Sequence, residues 1–282
     1  MRAAHHAVPF SLARLGIVAG NTFLEAVRQK LFGFLLLLAV ALVASAQLFR
    51  EFNFGSSELK FIADFGLGAM VFFGSTLTIA ATAQLFFSEI ENRTALTLLA
   101  KPVWRTEFIF GKFLGVFTVV GVFCALTTGL LVGLLYQRET ALMAASPEAF
   151  AQGCLIHYGD LVLIGVLQWL KFGVLAAATL LIASFSNTNL YTVVMGFFVL
   201  VICHLQYLAR DAYAQVASLP LRLLVQVLGY VFPNFQLFNV ADQIGVGAAL
   251  DPLVFVRVAA YALIYIGVFC GLAVYSFSRR EI

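Results

Sequence analysis

Long apolar runs alternate with short polar interruptions along the chain. Six runs are long enough to cross a bilayer: Leu31–Phe49, Phe61–Phe87, Phe113–Tyr136, Leu161–Ala183, Leu190–Leu208 and Val254–Phe277. A hydrocarbon core about 30 Å thick needs roughly 20 apolar residues per helix. The runs are continuous, whereas a lipid-facing strand alternates, so the pattern predicts helices and not a barrel. The expected fold class is an all-α membrane protein with six transmembrane helices over residues 31–282. A further run, Leu219–Phe232, is short and holds Arg222 and Gln226, and reads as an interfacial or re-entrant helix. It lies in a long extracytoplasmic loop, residues 209–253, punctuated by Pro220, Pro233 and Pro252. A loop of that length carrying apolar helix suits a lid over a central path.

Residues 1–30 precede the first run, and Pro9–Lys30 has helical periodicity. Phe10, Ala13, Ile17, Leu24, Val27 and Leu31 share one face, with Arg14, Asn21, Glu25 and Arg28 opposite. That pattern predicts an amphipathic helix in the inner interface that turns into the first span. Gly16 and Gly20 weaken it. Leu31–Val43 followed by Ala44-Ser45-Ala46-Gln47 also has the look of a signal-peptide core. Against cleavage, about thirty residues precede it, longer than a usual charged leader.

Between the second and third spans lies Ser88-Glu89-Ile90-Glu91-Asn92-Arg93-Thr94, followed by LTLLAKPVWRTEFIFGK. Ser88 with Glu91 three residues on matches a capping box, which predicts a new helix over residues 88–101. Pro102 ends that helix, and Thr106 caps entry into the third span. A short charged helix held at a membrane surface offers a docking handle to a soluble partner. The fourth and fifth spans are separated only by the polar turn Ser184–Asn189.

Composition agrees with this picture. Of 282 residues, 62% are hydrophobic and 11% charged, against about 25% charged in a soluble domain. Mean hydropathy is +0.98. Lys and Arg set orientation. With the N-terminus inside, the inner face collects Arg2, Arg14, Arg28, Lys30, Arg93, Lys101, Arg105, Lys112, Arg279 and Arg280. The outer face holds fewer: Arg50, Lys60, Arg138, Arg210, Arg222 and Arg257. Both termini are therefore expected in the cytoplasm. The net charge of +3 belongs to this topology and gives no support for nucleic-acid binding. Cys124, Cys203 and Cys270 fall in spans, where cysteine is a small apolar residue, and Cys154 has no outer partner.

No catalytic constellation stands out. His5, His6, His157 and His204 form neither an H-E-x-x-H motif nor a Cys/His metal set, and Gly74-Ser75 lacks a base. No G-x-x-x-x-G-K-[ST] loop occurs either. The chain is expected to be non-catalytic and to bind no cofactor. ATP-driven work would draw on ATP and Mg in a partner chain. Lys171 lies in the middle of the fourth span, eleven residues from Asp160 and thirteen from Ser184. At about 1.5 Å per residue it sits near the midplane, at a cost on the order of 3 kcal/mol. An anionic substrate head group on a translocation path, or carbonyls at a dimer interface, would suit it. Snorkelling from a shifted helix is the alternative.

At the hinge the chain resembles permeases of type-2 ABC exporters. The residues that carry the resemblance are Glu89, Glu91, Arg93, Thr94, Leu98-Leu99, Lys101-Pro102-Val103, Arg105, Glu107-Phe108 and Gly111-Lys112. Glu25–Lys30, Ser184, Phe232–Phe235 and Phe238-Asn239 add to it. The resemblance implies a half-transporter in a bacterial inner membrane, paired with a second permease subunit and with cytoplasmic ABC ATPase subunits. Residues 88–101 would be the coupling helix seated in the ATPase, with Glu89, Glu91, Arg93, Thr94, Lys101, Pro102 and Arg105 at the contact. A mechanotransmission or anchoring subunit acting on an extracytoplasmic partner is the second reading. A secondary transporter is disfavoured, since internal symmetry and a set of membrane-embedded acids are missing.

Overall fold

The computed structural model describes residues 11–49, 58–91, 104–145, 156–214, 229–239 and 250–279. Among them the regular structure is helical: α1 (Leu12–Arg28), α2 (Lys30–Ser45), α3 (Glu58–Glu91), α4 (Arg105–Ala145), α5 (Tyr158–Phe185), α6 (Asn189–Ala214) and α7 (Pro252–Arg279). Short 3-10 turns follow at Ala46–Phe49 and Phe235–Phe238. Among the described residues five helices are long and apolar enough to span a membrane, and up to six spans result if the bent pair α1–α2 counts as one. The expected first run is covered by α2 and its 3-10 turn.

α5 is the core element. It packs against α7, α4, α3 and α6, and its Gly173-Val174-Leu175-Ala176-Ala177-Ala178 stretch is buried throughout. Small side chains here let neighbours approach closely, the usual device where lipid offers no hydrophobic drive for helix pairing. Gly74 of α3 does the same, since a Cβ there would meet Phe172 at 2.6 Å. Hydroxyls in the spans close onto their own helices: Thr78 donates to the Gly74 carbonyl, Thr82 to that of Thr78 and Thr179 to that of Leu175. No polar group is then left facing hydrocarbon at those positions.

Three expectations need correcting. Ser88 does not cap a new helix. Residues 88–91 continue α3, and the Ser88 hydroxyl donates back to Leu85 O and across to Glu25. Four residues of helical pairing outweigh a capping pattern when the apolar run feeds straight into them. Thr106 does not cap the third span either. The cap falls on Trp104, whose carbonyl takes the first helical bond from Phe108 N–H. The third span, expected to end at Tyr136, runs on to Ala145 as a 41-residue helix. Its added turns are held by Arg138 on Glu58, at 2.6 and 2.8 Å, and by Glu139, which accepts from Ile156 N–H and from the Tyr158 hydroxyl. The turn after α5 shortens to Ser186–Thr188.

α1 meets α2 at a sharp bend of 64°. Its orientation about its own axis is the less expected feature. Leu12, Ile17, Leu24 and Val27 are exposed, as a lipid-facing edge requires. Of the polar edge, Arg14 and Glu25 turn toward the neighbouring helices, whereas Asn21 and Arg28 stay exposed.

Candidate functional site

The site begins with the row of residues that α1 lays on α4. Arg14, Val18 and Thr22 step by four residues along α1 and meet Glu107, Gly111 and Gly115, which step by four along α4. Rows with an i, i+4 step are the natural ridges of a helix. Gly111 and Gly115 form the groove. A Cβ at Gly111 would lie 2.6 Å from Val18 Cγ1, and one at Gly115 would lie 2.8 Å from the Ala19 carbonyl oxygen. Only glycine permits that approach.

Glu107 locks the upper end of this row. Its carboxylate accepts from Trp104 N–H at 3.1 Å, the returning half of a capping box. It also accepts from Ser11 N–H at 2.7 Å, and from Arg14 Nε and Nη2 at 3.0 and 2.8 Å. The residue is fully buried, so these donors are what makes its charge tolerable. Lower down, Glu25 accepts from the Ser88 hydroxyl at 2.9 Å and lies 4.0 Å from Lys112 Nζ. Lys112 is itself buried, with its ammonium 6.0 Å above the Phe108 ring.

The last helix joins the same cluster. Arg105 donates to the carbonyls of Phe277 and Ser278, the exposed acceptors at the C-terminal end of α7. Beneath it Phe86, Phe108 and Phe277 pack ring on ring at 5.6–6.2 Å. One polar clamp over one aromatic cluster thus binds α1 to the end of α3 and the start of α4, and α4 in turn to the end of α7. The segment between α3 and α4, residues 92–103, starts and finishes at this clamp.

Of the sequence-derived site residues, Arg105 lies in the clamp. Glu89 and Glu91 fall in the last turn of α3; their side chains are outside the described residues, as are Arg93, Thr94, Lys101 and Pro102. Arg14, Glu25, Glu107 and Lys112 were visible in the sequence but not as partners. The signal was there: a cation then an acid on one helix, and an acid then a cation on the other.

A second polar cluster lies at mid-depth. Lys171 is 3% exposed, and its ammonium stands 5.6 Å over the ring of Phe235. Among the described residues no carboxylate meets it. Burying an unpaired ammonium costs several kcal/mol, and a desolvated cation–π contact returns about 2. Phe235 belongs to a short stretch outside the long helices that packs among α5, α6 and α7. Its backbone is met by side chains from the spans: Gln168 Nε2 donates to Phe238 O at 3.1 Å, and Gln206 Nε2 to Gly229 O at 2.7 Å. The Tyr261 hydroxyl accepts from Asn234 N–H at 2.8 Å, and the Tyr265 hydroxyl donates to Tyr230 O at 2.9 Å. Irregular backbone survives at membrane depth only with such partners. The interfacial or re-entrant expectation for Leu219–Phe232 falls mostly on residues 219–228, which lie outside the described residues. His204 touches Phe235 edge-on, with Nδ1 2.9 Å from Leu200 O.

The chain matches the family model described as ABC-2 family transporter protein over residues 16–282. No curated protein matches it.

Proposed function

The chain belongs to the ABC-2 family of transporter membrane proteins, and on that premise we propose that it is the permease subunit of an ATP-driven exporter. It works with a second permease subunit and with a separate cytoplasmic ABC ATPase that holds ATP and Mg. Both termini are cytoplasmic, and the membrane is the inner membrane of a bacterium. The observation that carries this reading is the clamp. Residues 92–103 leave it at the end of α3 and re-enter it at Trp104, so a push on that segment acts on two spans and on α1 together.

Coupling then has a physical route. The last turn of α3 and the following residues, through Lys101 and Pro102, form the contact with the ATPase, with Glu89, Glu91, Arg93 and Thr94 setting its register. Charges at such a rim add little affinity singly but fix orientation. Nucleotide-driven approach of two ATPases moves α3 and α4 as packed units, which alternates access to a path on which Lys171 lies. A second reading has force and not substrate crossing the membrane. It is favoured by the extension of α4 beyond its apolar run to Ala145.

The test is charge reversal at Glu89 and Glu91 together, followed by recovery of the ATPase on the tagged permease. Each rim charge is worth about 0.2–1 kcal/mol, so both changes are needed for a clear loss. Insertion and dimerisation should persist while ATPase recovery falls. Unchanged recovery would remove the acids from the interface. A permease that retains no ATPase in wild-type form would remove the exporter reading.

A further inference from the structure

The mid-depth cluster carries an inference about what is transported. Lys171 and Gln168 stand three residues apart on one face of α5, the spacing that places side chains together on a helix. Both reach the same short turn: Lys171 its Phe235 ring, Gln168 its Phe238 carbonyl. Both are nearly inaccessible, at 3% and 2%. Each is left with unused capacity. The ammonium has an aromatic face and no carboxylate among the described residues. Gln168 Oε1 is buried and accepts no hydrogen bond.

We infer that Lys171 and Gln168 form a receptor for a phosphate group, with a neighbouring hydroxyl or N–H of the ligand donating to Gln168 Oε1, and that Phe235 occupies this receptor until substrate replaces it. The inference deepens the transport reading above and rests on it. Three observations point the same way. A lone ammonium at the midplane is expensive unless it meets an anion. The group now facing it is an aromatic ring, which a true anion outcompetes. That ring sits on a 3-10 turn, Phe235–Phe238, held by only a few side-chain bonds, so its withdrawal does not require a span to unfold. Gln206 Oε1 on α6 is likewise buried without a hydrogen bond, so what sets Gln168 apart is that it shares a helix face and a facing turn with the Lys171 ammonium.

The shared chemistry could arrive on a lipid head group or on a water-soluble phosphate, and the test separates them. The full chain, purified alone in phosphatidylcholine nanodiscs, is titrated with dodecyl phosphate, with glycerol 3-phosphate and with dodecanol while its thermal midpoint is followed. Binding to the native state raises that midpoint. The expected result is a rise with at least one of the two phosphates and none with dodecanol. The lipid-borne source is assigned if dodecyl phosphate acts at the lower concentration, the soluble source if glycerol 3-phosphate does. Lys171→Gln should weaken the response at least tenfold, and Lys171→Arg should keep most of it. Phe235→Ala, which removes the occupant, should strengthen it several-fold. Should Lys171→Gln prove too unstable, the contrast between Phe235→Ala and wild type decides alone. Equal responses in Lys171→Gln and wild type, no gain in Phe235→Ala, or no response to either phosphate would each overturn the inference. Because no ATPase is present, such a failure leaves the coupling reading untouched.

Discussion

Replacing Gly111 and Gly115 together by alanine should pry α1 off α4. The new methyl groups would sit 2.6 Å from Val18 Cγ1 and 2.5 Å from Thr22 Cβ, with the Ala19 carbonyl oxygen at 2.8 Å. Carbon contacts are comfortable from about 3.5 Å, so α1 must retreat by roughly 1 Å. The Ala19 oxygen is backbone and cannot rotate aside. Overpacking of this kind costs about 1–3 kcal/mol per site, while the gain in helix propensity from Gly to Ala returns about 1. A net loss near 2 kcal/mol for the pair follows from the middle of those ranges. The same helix supplies its own control. Gly129 and Gly133 repeat the spacing, but a Cβ at either would meet nothing within 4 Å, so alanine there should be neutral or slightly stabilising. Unfolding of the purified chain by SDS titration, read by circular dichroism, compares the two pairs directly. Equal midpoints for the two double variants would refute the seam, as would a drop confined to the Gly129/Gly133 pair.

Other outcomes follow from the same contacts. Glu107→Gln and Arg14→Met should each cost about 3 kcal/mol, and the double variant less than their sum, because each leaves the other's partner stranded; strict additivity in the same titration would dissolve the pair. Arg138→Met should cost less than about 1 kcal/mol and lose that effect in high salt, since both side chains of the Arg138–Glu58 pair are about a quarter exposed; a salt-independent loss would contradict this. For topology, single cysteines at Ser57 and Glu148 should label from outside intact cells, and those at Thr97 and Ser278 should not. Outside labelling of Thr97 would invert the proposed orientation.

Crossing helices were legible because hydropathy over some twenty residues is a strong and local signal. α5 and α7 start and stop within a few residues of the apolar runs that announce them. The misread boundaries share a cause. Ser88 and Thr106 have capping chemistry, but caps are decided by where the helix stops, and Ser88 sits where α3 has three more residues to run. The amphipathic pattern of α1 was legible, but not which of its polar residues would meet a protein partner. Amphipathicity separates two edges without saying which solvent or neighbour each one meets. Arg14 and Glu25 found a protein partner because Gly111 and Gly115 leave a groove for their helix. Lys171 could be placed by depth alone. Its contact with Phe235, sixty-four residues along the chain, could not, because nothing local records a turn folding back into the membrane. Gln168, a lone amide in an apolar run, was the available hint.

The length of α4 has a mechanical corollary. Forty-one residues of helix make a rod of about 60 Å at 1.5 Å per residue, roughly twice the hydrocarbon thickness. Pivoting such a rod by about 5° sweeps one tip through some 5 Å relative to the other. A sub-ångström adjustment in the grip on Glu107 at one tip is therefore geared up before it reaches Arg138 and Glu139 at the other. The coupling runs in both directions. Whatever leans on the outer tip bears on Glu107 in turn, and by reciprocity of coupled sites it shifts the inner contact by the same free energy.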